Sequence, residues 1–215
     1  MDKLIALVAK ISNRSASKLS EKTTLRELGL SASLGLAILE KRIKELYGKD
    51  IPGLRWDLSL ADVYQIAHGT QAPLRVEVKP SMQTSEVKSQ PRSTSAASDW
   101  DIGIDLEEIK NMPSLDKVRS DLFYKETFTD LELTGALLKP NPLASLCGIF
   151  CAKEALRKSH DDFSTIPFSQ LEIDHHTNGK PFIRVLGLEH LNSRPIKVSI
   201  THTDAYASAV VMVGQ

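Results

Sequence analysis

An excess of charge of either sign is what this sequence most plainly lacks: 27 lysines and arginines offset 27 aspartates and glutamates, for a formal net charge of +0. A balanced chain carries no electrostatic footprint for nucleic acid or for an anionic membrane surface. An aromatic content of 6% also disfavours a platform for stacking bases. Cysteine is scarce. Cys147 and Cys151 are the two present, four apart on one helical pattern. They suit small core positions, and neither their number nor their spacing points to a disulfide framework or a zinc site. No apolar run approaches the roughly 20 residues that cross a bilayer. Residues 1–10 carry charge at Asp2, Lys3 and Lys10, so no signal peptide is expected. The expectation is a soluble, cytoplasmic protein with no nucleic acid or membrane partner. A hydrophobic fraction of 41% over 215 residues is enough for one to two packed domains.

What is present divides the chain into three. Residues 1–69 read as a small helical domain. Leu4, Ile5, Leu7, Val8 and Ile11 form a first amphipathic stripe. A second helix spans 33–47, with Lys41, Arg42, Lys44 and Glu45 as its wet side and Gly48 closing it. A short last helix starts from Ser59 as N-cap. Residues 70–99, dense in serine and threonine and interrupted by Pro73, Pro80 and Pro91, read as a flexible linker. At about 5–6 Å × √n, such a linker spans roughly 30 Å and lets the two halves move independently.

Residues 100–215 mix strands and helices, the pattern of an α+β domain. A strand over 101–109 is followed by a helix over 114–124. A further helix is capped by Thr129 with Glu132 three residues on. A central helix spans 142–158, and strands at 171–175 and 182–185 are joined by an Asn178-Gly179 turn. Two final strands cover 196–202 and 206–213.

Two stretches carry chemistry. On the central helix Glu154 shares the apolar stripe of Cys147 and Phe150, and Lys158 lies one turn below it. A carboxylate there needs a cationic partner, either Lys158 or a metal ion. In DIGIDLEEI (101–109), Asp105 and Glu107 fall on one strand face, opposite the apolar Ile102, Ile104 and Leu106. Two strand carboxylates and Glu154 make an all-oxygen donor set of the kind that suits Mg²⁺ beside phosphate.

The N-terminal layout, LRELGL followed by a serine opening a basic amphipathic helix and then Ile51-Pro52, resembles an acyl carrier protein. Alignment on Leu34, Leu39, Ile43, Tyr47, Ile51 and Pro52 puts the family's 4′-phosphopantetheine attachment serine at Ser33. Ala32 stands where the family has aspartate, and one extra residue precedes Ser33. Capping of the helix is the alternative role for this serine. GIDLEEI (103–109), FYKETFTDLE (123–132), FCAKEALRK (150–158), NGKPFI (178–183) and VSITHTDAYASAVV (198–211) occur in the order and spacing of a phosphopantetheinyl transferase of the holo-acyl-carrier-protein synthase class. That resemblance implies a 4′-phosphopantetheinyl transferase fold behind a small, four-helix, carrier-protein-like domain. It also implies a homotrimer with active sites between subunits. Its activity would be transfer of 4′-phosphopantetheine from coenzyme A to an acyl carrier protein, either its own N-terminal domain or a separate one.

By the same resemblance Asp105 and Glu154 would hold Mg²⁺, with Glu107 or Glu108 assisting. Lys158 would contact phosphate and stabilise the leaving 3′,5′-ADP. Lys153 would add positive charge for coenzyme A, and His202 with Thr203 would lie near its nucleotide end. The serine proton has two routes, a metal-linked water or a carboxylate such as Glu107. Arginine often stands in the family where this chain has Glu126 and Ile149. Together with Ala32, these departures motivate a second reading, a non-catalytic carrier-like docking module on a degenerate trimeric scaffold. A third has the N-terminal helices mimicking a carrier on the enzyme's docking surface.

Overall fold

The computed structural model describes residues 1–30, 33–51, 53–69 and 99–214. The first apolar stripe folds as α1 (Asp2–Ile11), with Asp2 in its first turn and Lys10 in its last, as the helix dipole favours. The second helix, α2 (Ser33–Tyr47), has the expected bounds, and Gly48 leaves it at φ 69° in the left-handed region. α3 (Leu60–Ala67) is held at its start by a reciprocal capping box between Ser59 and Asp62. Among the described residues the N-terminal part therefore has three α-helices, not four. The stretch between α1 and α2 makes only a 3-10 turn at Ala16–Lys18, none of whose own residues is buried, so no apolar face stabilises a longer helix at that turn. The linker expected at 70–99 lies, except for Asp99, outside the described residues.

The rest of the chain runs β1 (Trp100–Glu108), α4 (Leu122–Thr127), α5 (Asp130–Leu137), α6 (Pro142–Ser159), β2 (Leu171–His175), β3 (Pro181–Val185), β4 (Ile196–His202) and β5 (Tyr206–Gly214). The helix expected over 114–124 is split. Ser114 accepts the Asp116 N–H and starts a single 3-10 turn, while Asp121 accepts the Phe123 N–H and starts α4 afresh. Two local caps outcompete one continuous helix. The sheet order is β1-β5-β4, all antiparallel, with β2 and β3 as a separate hairpin.

β1 reverses the usual burial of a half-wet strand. Asp105 and Glu107 are 6% and 3% exposed, whereas Ile102, Ile104 and Leu106 are 62%, 63% and 61% exposed. The carboxylates face inward because that side of the sheet lies on α6. The approach is close: a Cβ on Gly103 would sit 1.9 Å from the Ala155 carbonyl oxygen and 2.8 Å from the Ser159 nitrogen. Both neighbours are backbone of α6, so neither can turn aside. Gly103→Ala is expected to cost about 3 kcal/mol or more, at the upper end for overpacking. Urea unfolding followed by far-UV circular dichroism checks this; a midpoint equal to that of the parent would contradict it.

Two apolar clusters meet on α2. Leu39 and Ile43 pack with Leu4, Leu25 and Val63, whereas Leu34, Ala37 and Ile38 join the cluster of Phe123, Phe150 and Cys147. The two sets lie on different faces of α2, which is apolar over more than one stripe. The halves expected to move independently are docked through this helix. No described helix is long and apolar enough to cross a membrane.

Candidate active site

Three elements converge at one end of the docked helix. β1 supplies Asp105 and Glu107, α6 supplies Glu154 and Lys158, and α2 begins with Ser33. The Lys158 ammonium donates to Asp105 Oδ1 at 2.7 Å and to Ser33 Oγ at 2.9 Å, and lies 3.9 Å from Glu154 Oε2. Glu107 Oε1 accepts the backbone N–H of Leu34 at 2.9 Å. It thereby caps the positive end of α2 from the other half of the chain, where the helix dipole favours a carboxylate.

Burial dominates the electrostatics. It pushes the Glu107 carboxyl up to about 7; the Leu34 N–H and Lys158 favour its charged form, and the charges of Asp105 and Glu154 oppose it. Burial also raises Glu154, against the pull of Arg157 and Lys158. The three acids therefore feel one another across the site.

Mg²⁺ fits this donor set through two carboxylates. Among the described residues no three histidine, cysteine or acidic side chains converge on one point. Asp105 Oδ2, however, is buried without a hydrogen-bond partner, on the carboxylate whose other oxygen meets Lys158. Mg²⁺ takes one or two protein carboxylates and completes its shell with water and phosphate oxygens, so the lack of a third protein ligand is compatible with that ion. A cleft of about 300 Å³ opens beside them, lined by Ser33, Leu36, Ala37 and Glu40 of α2 and by Glu154 and Arg157 of α6.

Several expected site residues are elsewhere. Lys153 is fully buried, and its ammonium donates to Glu132 at 2.6 Å and to the carbonyls of Thr127 and Phe168 at 2.7 and 3.0 Å. Burial lowers its pKa and raises that of Glu132, while their mutual attraction opposes both shifts. With its three donors occupied, Lys153 has none left for coenzyme A; it ties α5 and α6 together. Glu108 bonds Lys110 and Tyr206 away from the site. His202 shares a cross-strand row with Ala207 and Glu107, so it lies on the same sheet face two strands away. The Thr203 hydroxyl accepts the N–H groups of Ala205 and Tyr206 and shapes the β4–β5 turn.

Arg157 was not singled out by sequence. Its guanidinium lies 3.7 Å from Glu154 and donates to the Ser164 carbonyl along the cleft wall. The wet side of α2 is also not wet: Lys41 and Lys44 both reach Glu126, and Arg42 reaches Asp121.

A strand–helix carboxylate pair backed by a lysine, on an α+β scaffold, is a donor set compatible with a divalent cation beside phosphate. Residues 101–211 match the model of the 4′-phosphopantetheinyl transferase superfamily, and the chain belongs to that family. It is similar to the holo-acyl-carrier-protein synthases of Chloroherpeton thalassium (31% identical, covering 52% of this chain and 95% of the relative) and Bacillus subtilis (34%, 53% and 94%). A solved Bacillus anthracis holo-acyl-carrier-protein synthase with CoA (3′,5′-ADP) overlays on 54% of this chain and 96% of its own, at 23% identity and a TM-score of 0.42.

Proposed function

We propose that this chain transfers 4′-phosphopantetheine from coenzyme A to a serine hydroxyl of an acyl carrier protein, releasing 3′,5′-ADP, and that Ser33 is such an acceptor. The observation that carries the reading is a single ammonium, Lys158, held between Asp105 Oδ1 and Ser33 Oγ. In the reaction a bond forms between Ser33 Oγ and the phosphorus bearing the pantetheine arm. The bond from that phosphorus to the bridging oxygen breaks, and its electron pair leaves with 3′,5′-ADP. The site's cationic charge is useful on that bridging oxygen, where negative charge builds. Lys158 supplies it and can pass on a proton. Asp105 and Glu154 would hold Mg²⁺, which when bound supplies positive charge against the diphosphate. Glu107, engaged one residue along at Leu34, is the base we assign to the Ser33 proton.

Of the three departures that motivated a non-catalytic reading, Ala32 lies outside the described residues, and Glu126 and Ile149 have structural roles away from these groups. Glu126 answers Lys41 and Lys44, and Ile149 is a buried core residue. The test is release of 3′,5′-ADP when the chain meets coenzyme A and Mg²⁺. Release that stops with a chelator supports the reading; no release under any metal condition overturns it.

We assign a homotrimer as the working form. Support comes from the outward face of β1, where Ile102, Ile104 and Leu106 stand largely exposed beside Val210 of β5. An apolar strip of this kind on a sheet calls for a covering partner. Ile104→Glu is expected to shift the mass measured by light scattering from trimer to monomer with the fold retained; a monomeric parent would contradict the assignment.

A further inference from the structure

α2 meets the transferase half through charges opposite to its own. Lys41 Nζ lies 2.8 Å from Glu126 Oε2, and Lys44 Nζ lies 2.5 Å from Glu126 Oε1, so one carboxylate is shared by two lysines. Arg42 donates to both oxygens of Asp121, at 3.0 and 2.5 Å, the bidentate geometry that adds direction to charge. All five side chains are partly buried, where such pairs are screened less than in open solvent. Burial alone would raise the Glu126 carboxyl; hydrogen bonds from Lys41 and Lys44 outweigh it and hold the group below its ordinary range. The pattern has one sense throughout. The bases belong to the helix that carries Ser33, and the acids belong to α4 and its cap.

We infer that Asp121 and Glu126 are specificity-determining residues, which select a carrier whose serine-bearing helix is basic and reject one that is acidic at the positions of Lys41, Arg42 and Lys44. The partner is this chain's own N-terminal part, in the same molecule or a second copy. The inference rests on the reading of Ser33 as acceptor. The physical reason is sign. A carboxylate at position 41 or 44 would stand against Glu126 in a partly buried contact, and like charges so placed are strongly unfavourable. The pairs also set register. Ser33 reaches Lys158 only if α2 lies along α4 with its N-terminus toward β1, and the contacts at 41, 42 and 44 hold it there two to three turns from the reacting hydroxyl.

Full-length variants test this. Glu126 makes its described bonds only to Lys41 and Lys44, whereas Asp121 also caps α4, so the reversal is placed at Glu126. Three chains are compared with the parent: Glu126→Lys, Lys41→Glu with Lys44→Glu, and all three changes together. The readouts are the initial rate of Ser33 labelling by coenzyme A and the hydrogen-exchange protection of the α2 and α4 amides. Each one-sided reversal is expected to slow labelling by about ten-fold or more and to lower protection, and the combined variant to regain most of both. One-sided reversals without effect, or a combined variant no better than its worse parent, would overturn the inference. If the parent itself takes no label, the reading of Ser33 fails, while the protection pattern still decides the pairing.

Discussion

Asp105→Ala is expected to lower kcat/KM for phosphopantetheine transfer by about 10³-fold or more, roughly 4 kcal/mol of transition-state stabilisation. The size follows from what Asp105 does in the folded chain. It is 6% exposed, one oxygen holds Lys158 and the other has no protein partner. In the proposed reaction, removing it takes away one of the two carboxylates assigned to Mg²⁺ and frees the ammonium beside Ser33 Oγ. The stability cost should be small by comparison. The ion pair lost has one half-exposed member, and such pairs contribute at most about 1 kcal/mol. The separation is measurable: steady-state kinetics on the variant beside its urea midpoint. A loss of activity matched by loss of fold would mean that Asp105 acts as a structural group. An active, stable variant would remove it from the chemistry.

The second large effect is complete loss of self-modification in Ser33→Ala. Ser33 Oγ makes its one described hydrogen bond to Lys158, and the N-terminus of α2 is held separately by Glu107 at Leu34. Alanine is a better helix former than serine, so docking should persist while the acceptor oxygen is gone. Peptide mapping after incubation with coenzyme A and Mg²⁺ should find label on the Ser33 peptide of the parent and none on that of the variant. Label at another serine would show that α2 is docked as a mimic. Faster labelling of an added carrier after deletion of residues 1–70 would point the same way.

Much of the fold was legible because local signals decide it. The bounds of α2 follow from its apolar run and Gly48, and α5 from its Thr129–Glu132 capping box. Period alone also put Asp105 and Glu107 on one face. Which face is buried depends on what lies against it, and nothing local reveals that Gly103 lets α6 approach to backbone contact. The same limit explains Lys153. A lysine beside Glu154 reads as available charge until Glu132, from another helix, is found 2.6 Å from its ammonium. Lys41, Arg42 and Lys44 read as a solvated face for the same reason, since their partners at 121 and 126 are about eighty residues away.

The most direct measurement is the intact mass of the full chain before and after coenzyme A with Mg²⁺, beside Lys158→Ala treated identically. Modification of the chain's own Ser33 at this centre requires the parent to gain the mass of one phosphopantetheine group per chain, with a chelator blocking the gain and Lys158→Ala slowing it at least about 100-fold. A parent whose mass never changes, or a Lys158→Ala chain modified as fast as the parent, would contradict it.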